Sequence, residues 1–205
     1  MLKRDVKRMV AEGYDRIADE YFERFGRSSV RDAKLAELVA QLPEGAALLD
    51  LGCGAGEPVA RHCVGLGYRV TGVDSSFGQI ERARRNVPKA HFIHADMTSV
   101  QFPAEVFDAV SAFYSITHVP RIEHAALVQR IATWLRPNGL FIAGFGSTAE
   151  DWLGEWLGTP MFFSHHDPEE AKQLITYAGF RLEHVELVEQ DNEEATFLWI
   201  TARKS

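Results

Sequence analysis

The sequence predicts an α/β fold, a doubly wound sheet of seven strands, mostly parallel and closed by an antiparallel hairpin strand. Three observations carry that prediction. Five short apolar runs alternate with helix-compatible segments between residues 46 and 145; glycines stand at every second position after the first run; and two strand-like runs lie at the carboxyl end. Short buried strands spaced by helices demand a parallel sheet covered on both faces. At 205 residues, 46% hydrophobic and 25% charged, the chain holds enough apolar material for a single domain over residues 1–205 with a sizeable core.

From Asp5 to Phe25, Val6, Val10, Tyr14, Ile17, Tyr21 and Phe25 recur three or four apart, the spacing that lines one face of a helix. A second helix, Val30 to Leu42, stops at the turn signal Pro43-Glu44-Gly45. These two form a helical cap over residues 1–43. The strands that follow are expected at 46–51, 69–73, 90–95, 107–113 and 140–145. Helices are expected between them at Val59–Leu66, Phe77–Arg85 and His124–Leu135. Residues 146–167, GSTAEDWLGEWLGTPMFFSHHD, are rich in glycine and aromatics and read as a lid or substrate-binding insert with one short helix at most. A helix over Pro168–Ala178 precedes strands at 180–190 and 195–203, whose polar link Asp191-Asn192-Glu193-Glu194 reads as a hairpin turn.

Charge and composition narrow the function. The formal net charge of -7 disfavours a nucleic-acid backbone, whose binding needs clustered Lys and Arg. A small-molecule partner fits better. The charged start MLKRDVKRMV and the absence of about 18 consecutive apolar residues lead us to expect a soluble cytoplasmic protein without membrane contact. Cys53 and Cys63 lack disulfide-framework or Cys-x-x-Cys spacing and are expected as reduced thiols.

In an open parallel sheet, ligands sit beyond the carboxyl ends of the strands where strand order reverses. Gly52-Cys53-Gly54-Ala55-Gly56 occupies that place, with no Cβ to hold a ligand off the backbone at its glycines. A dinucleotide loop would need glycine where Glu57 stands. Glu57 and Pro58 also put an anion at the next helix start and remove an amide, which disfavours phosphate and tolerates a cation.

The pattern Asp50-x-Gly52-x-Gly54-x-Gly56, with Asp74 ending the second strand and Asp96 after the third, resembles that of class I S-adenosylmethionine-dependent methyltransferases of the small-molecule type. The resemblance runs over Leu48–Gly146, through FDAV, LRPNGLFI and GFG, and more loosely over SHHDPEEAKQLITYAGFR and GYDRIADEYFERF. Glu57-Pro58 departs from it, since many members have Thr or Ser followed by a helix-compatible residue.

The resemblance implies a Rossmann-like fold with a helical amino-terminal lid. It implies S-adenosyl-L-methionine as cofactor, S-adenosyl-L-homocysteine as product, and a methyl group moved to an O, N or C nucleophile of a small acceptor. Asp74 would accept from both ribose hydroxyls and Asp96 from the adenine amino group, while Asp50 and the loop carbonyls face the ammonium and sulfonium end. Ser75, Gln79 and Met97 would touch ribose or base, Cys53 would fill the loop, and Phe113, Tyr14 and Tyr21 would flank the cofactor. His118 is the candidate general base, beside an acceptor pocket of Tyr114, Trp156, Phe163 and His165, with Trp152 and Met161 as further apolar walls. No metal is expected, because adjacent His165-His166-Asp167 side chains diverge.

Each of these residues also has a structural use. The glycines make a tight turn, Asp74 can cap a helix, Asp96 can order a turn before Thr98-Ser99, and His118 can order its own loop. A nicotinamide-dependent oxidoreductase and a non-catalytic cofactor-binding protein are the competing readings.

Overall fold

The computed structural model describes residues 3–191 and 193–205; Met1, Leu2 and Asn192, the last in the expected hairpin turn, lie outside them. Seven strands form one sheet in the order β3-β2-β1-β4-β5-β9-β8. They are β1 (Ala47–Leu51), β2 (Arg69–Asp74), β3 (His91–His94), β4 (Phe107–Ala112), β5 (Leu135–Gly146), β8 (Phe180–Glu189) and β9 (Thr196–Lys204). The pairs β1–β2, β1–β4, β2–β3 and β4–β5 are parallel, whereas β9 runs antiparallel to both β5 and β8.

Helices α2 (Ser29–Val39), α3 (Val59–Gly65) and α4 (Phe77–Asn86) cover one face, burying Leu38, Ala60, Cys63 and Ile80 with Leu48 and Ile142 of the sheet. On the other, α5 (Arg121–Trp134) and α6 (Pro168–Tyr177) bury Leu127, Ile131 and Ile175 with Leu49, Val110 and Phe141. Two buried faces explain why β1 is apolar at nearly every position rather than alternating. Among the described residues, no helix is long and apolar enough to cross a membrane.

Two segments depart from expectation. Residues 146–167 contain no helix but an antiparallel hairpin, β6 (Asp151–Trp156) with β7 (Thr159–Ser164). Its two-residue turn, Leu157-Gly158, has φ of 49° and 67°, the paired positive values that match hairpin twist. Leucine carries a Cβ penalty there, so the usual Asn-Gly signal is missing. Strand β5 begins at Leu135 rather than 140, because Leu135 pairs with Phe107 before a register shift at Asn138, which has φ of 63°. Accordingly α5 ends at Trp134, and it starts at Arg121, with Pro120 at its N-cap.

Helix α1 (Lys3–Phe25) belongs to neither layer. Its apolar stripe, Val6, Val10 and Ile17, packs with Met161 and Phe162 of the hairpin in a third small core. Gly13 permits that contact, since a Cβ there would lie 2.8 Å from Met161 Cε. The helix also reaches α4. Asp15 Oδ1 accepts from Gly78 N at 2.9 Å and from Ser76 Oγ at 2.5 Å, a carboxylate at the positive end of a helix.

Candidate functional site

Strand order reverses between β1 and β4, and two adjoining cavities open beyond the carboxyl ends of those strands, as the topology requires. The first is lined by Gly52, Gly54, Asp74, Ser75, Gln79, Asp96, Met97, Phe113, Tyr114 and His118, together with Tyr14 and Tyr21 of α1. Its empty volume is ≈ 790 Å³. The second continues along the glycine loop past Asp50, Cys53, Ala55 and Glu57 to Arg31 of α2. Six lining residues, Tyr21, Gly52, Gly54, Gln79, Phe113 and Tyr114, are common to both.

The loop takes its shape from left-handed backbone at Gly52 (φ 73°), Gly54 (φ 50°) and Gly56 (φ 79°). These three glycines do different work. A Cβ on Gly52 would sit 2.1 Å from Ser115 Cβ, so that residue lets the β1 and β4 loops meet. Gly56 faces Phe92 and Val87 and borders neither cavity. Gly54 has nothing nearer than Gln79 Oε1 at 4.0 Å and offers a bare main chain to both cavities. Cys53 is buried against Gly72, and burial pushes its thiol well above the ordinary range, which removes it as a nucleophile.

Asp74 accepts from Gly54 N at 2.9 Å on one carboxylate oxygen and from Ser76 N at 2.8 Å on the other. Each oxygen therefore retains acceptor capacity toward the cavity. Burial raises its carboxyl despite those two amide bonds. Asp50 is 3% exposed, accepts from Ser111 Oγ at 2.8 Å, and is pushed up to about 7, chiefly by burial. Asp96 orders its own turn, Oδ1 accepting from Thr98 N at 2.8 Å and Thr98 Oγ1 at 2.9 Å. Its other oxygen lies 2.7 Å from Lys7 Nζ of α1. Burial opposes ionisation of Asp96, but the bonds from Lys7 and Thr98 outweigh it and hold the carboxyl low.

His118 is held at both ring nitrogens. Nδ1 lies 2.9 Å from the Phe162 carbonyl of β7, and Nε2 lies 2.8 Å from the Tyr14 hydroxyl. A carbonyl only accepts, so Nδ1 carries the proton and Nε2 accepts from Tyr14. Burial lowers His118 to about 4 and raises Tyr14 well above 10, which leaves a neutral pair.

The remaining expected acceptor residues are distributed differently. Tyr114 (φ 63°) lines both cavities and donates to Gln190 Oε1 at 2.7 Å. Trp156 stacks on Phe25 and packs edgewise on Tyr14, and Phe163 lies 4.5 Å from the His118 ring by centroids. These two form the rim behind the pair and line neither cavity. His165 presses on Gly146, whose Cβ would fall 1.7 Å from its Nδ1, and also stands outside both linings. Met161 is fully buried under α1, and Trp152 is 42% exposed. Among the described residues no group of three metal-ligating side chains occurs.

Sequence reasoning missed Lys7, Asp15 and Arg31. All three lie on helices where charged residues ordinarily mark a solvated face, and no local pattern separates them from Arg8 or Glu12.

A family model described as "Methyltransferase domain" matches residues 48–139. The chain is 31% identical over 157 residues to 27-O-demethylrifamycin SV methyltransferase of Amycolatopsis mediterranei, covering 66% of this chain and 57% of that one. It is 30% identical over 161 residues to a sterol 24-C-methyltransferase of Debaryomyces hansenii, covering 76% and 39%. The chain thus spans about half the length of the curated relatives it matches. Among solved structures, the magnesium protoporphyrin IX methyltransferase of Synechocystis PCC 6803, with bound SAH, superposes with a TM-score of 0.77 at 18% identity, covering 98% of this chain and 100% of that one. At such identity the likeness is one of fold.

Proposed function

We propose that this chain, whose residues 48–139 match a family model described as "Methyltransferase domain", is a class I S-adenosylmethionine-dependent methyltransferase that moves a methyl group from S-adenosylmethionine to an O, N or C nucleophile of a small-molecule acceptor. One observation supports this above the rest: Gly54 presents bare backbone beside Asp74, whose two oxygens each keep an acceptor site, and a vicinal diol offers two donors at matching spacing. The same cavity is also lined by Asp96, Met97, Ser75 and Gln79, of which the first two would meet the adenine edge. Asp50 and Glu57 line the continuing cavity, where a cationic tail is welcome and a pyrophosphate is not.

When bound, S-adenosylmethionine supplies both the methyl group and its leaving group, so the chain's work is alignment and exclusion of water. Tyr14, Tyr21 and Val10 roof the cavity. The Tyr14–His118 pair provides a path for a proton. An acceptor O–H or N–H donates to the Tyr14 oxygen, Tyr14 passes its own proton to Nε2, and the Phe162 carbonyl holds the imidazolium through Nδ1. With His118 at about 4, Nε2 is a weak base that stays neutral at physiological pH, so its contribution is modest beside that of positioning.

Calorimetry with S-adenosylhomocysteine and the Asp74→Ala variant tests the pocket. Tight binding to the wild type and none to the variant is expected; undiminished binding by Asp74→Ala refutes the assignment. Release of S-adenosylhomocysteine across an acceptor library then tests turnover.

A further inference from the structure

Three hydroxyls stand on the first cavity with His118, those of Tyr14, Tyr114 and Ser115, and each directs its hydrogen into the protein. Tyr14 donates to His118 Nε2 at 2.8 Å, and Ser115 Oγ donates to the Leu51 carbonyl at 2.5 Å. Tyr114 donates to Gln190 Oε1 at 2.7 Å, while Gln190 Nε2 donates to the Val188 carbonyl at 3.4 Å and so fixes which end of the amide faces the tyrosine. All three partners only accept, so none of these hydrogens can turn to a ligand without giving up its bond. What the three oxygens keep for the cavity is lone pairs. Charge points the same way. Among the described residues Lys7 is the one Lys or Arg on this lining, and its three N–H groups are taken by Asp96, Thr98 Oγ1 and Glu123 at 2.7, 2.8 and 2.9 Å. Tyr21 and Ser75 also line the cavity, but a neutral hydroxyl does not balance an anion.

Resting on the methyltransferase reading, we propose that the methyl-accepting substrate is an uncharged molecule that presents its nucleophile as an O–H or N–H with a second donor group close by, and that carboxylates and phosphates are rejected. The nucleophile's hydrogen meets the Tyr14 oxygen, and the second donor meets Ser115 or Tyr114. An anion would enter beside Asp74 and Asp96 with no unpaired cation to receive it, a desolvation cost with nothing to offset it. An ammonium fails for another reason, since it has no lone pair with which to attack. In the transfer, the bond from sulfur to the methyl carbon breaks with its electron pair left on sulfur, and the substrate lone pair forms the new bond to that carbon. The substrate's hydrogen passes to Tyr14 as Tyr14's own hydrogen passes to Nε2, and the proton reaches solvent when product leaves. A carbon nucleophile brings no such donor.

The full chain, saturated with S-adenosylhomocysteine, is titrated by calorimetry with catechol, phenol and benzoate, single rings that differ in donors and charge. Catechol is expected to bind roughly fivefold more tightly than phenol, and benzoate at least about tenfold more weakly than catechol. Benzoate binding as tightly as catechol, or no binding by any of the three, overturns the assignment. Gln190→Leu frees the Tyr114 hydrogen to donate, so the gap between catechol and benzoate should narrow several-fold with S-adenosylhomocysteine affinity unchanged; a gap of the same width overturns the claim that committed hydrogens set the preference. Should Gln190→Leu fail to fold, the wild type incubated with S-adenosylmethionine and each ring decides: 2-methoxyphenol from catechol supports the proposal, while methyl benzoate, or no methylated product from any ring, overturns it. A wild type that binds no S-adenosylhomocysteine defeats the methyltransferase reading itself, whereas one that binds it and prefers benzoate defeats only the substrate assignment.

Discussion

Asp50, Tyr14 and Gly52 show three ways in which one side chain, or its absence, governs this cleft. Burial holds the Asp50 carboxyl at about 7, above the ordinary carboxylate range, and an ammonium group beside it would favour the ionised form. Ligand binding near pH 6.5 should therefore release protons and tighten as pH rises through 7. Calorimetry in buffers of different ionisation heat reads this, and a buffer-independent heat at pH 6.5 contradicts it; Asp50→Asn should abolish the release. The same shift has a stability consequence in the unliganded protein. A carboxyl raised on folding contributes stability that is fully present below its unfolded value and lost as pH rises through about 7. For Tyr14→Phe, which keeps the ring packing and removes the donor to Nε2, the expected result is a kcat lowered by roughly 10²-fold with S-adenosylhomocysteine affinity within threefold. A fall in affinity with unchanged kcat would instead make Tyr14 a cofactor contact. Gly52→Ala adds about 1–2 kcal/mol of backbone strain at positive φ, and the Cβ lands on Ser115, so a large drop in Tm is predicted; an unchanged Tm would mean the two loops do not meet as described.

Helix α1 contributes Lys7, Val10, Tyr14 and Tyr21 to the wall of the cleft, and polar contacts along its length fasten it. Lys7 reaches Asp96 and Glu123 at 2.7 and 2.9 Å, Tyr14 reaches His118, Asp15 binds the start of α4, and Asp19 pairs with Arg82. None of these partners is near in sequence. Asp15 acts as a helix cap supplied from another element, so Asp15→Ala is expected to cost about 1 kcal/mol. Proteolysis within residues 3–25 should be faster in that variant, with the remainder of the chain intact. Cleavage at the wild-type rate would show that the apolar contacts to β7 alone hold the helix. The hairpin β6–β7 is the counterpart of α1: neither packs fully without the other, since Met161 and Phe162 find their cover in Val6, Val10 and Ile17.

The sheet and its two helix layers enclose two hydrophobic clusters, while α1 and the hairpin share a third. Hydrogen exchange should follow that division, slow in β1, β4 and residues 140–146 of β5, which are almost wholly buried, and faster in α1, β6 and β7. S-adenosylhomocysteine should slow exchange in α1 and around Gly52–Gly56 preferentially. Uniform protection across the chain would contradict a separately fastened roof.

The five parallel strands and the glycine loop with its two following acids were legible from residues 46–145, and the closing antiparallel pair from residues 180–203, because buried strands and bare loops leave local patterns of apolar runs and glycine spacing. The hairpin was not legible, since Leu157 stands where a turn residue would announce it. Nor were the Lys7–Asp96 pair, the Tyr14–His118 bond and the Asp15 cap. Each of those joins groups far apart in the chain, and the charge, burial and proton position of such groups arise only when folding places α1 against the cleft.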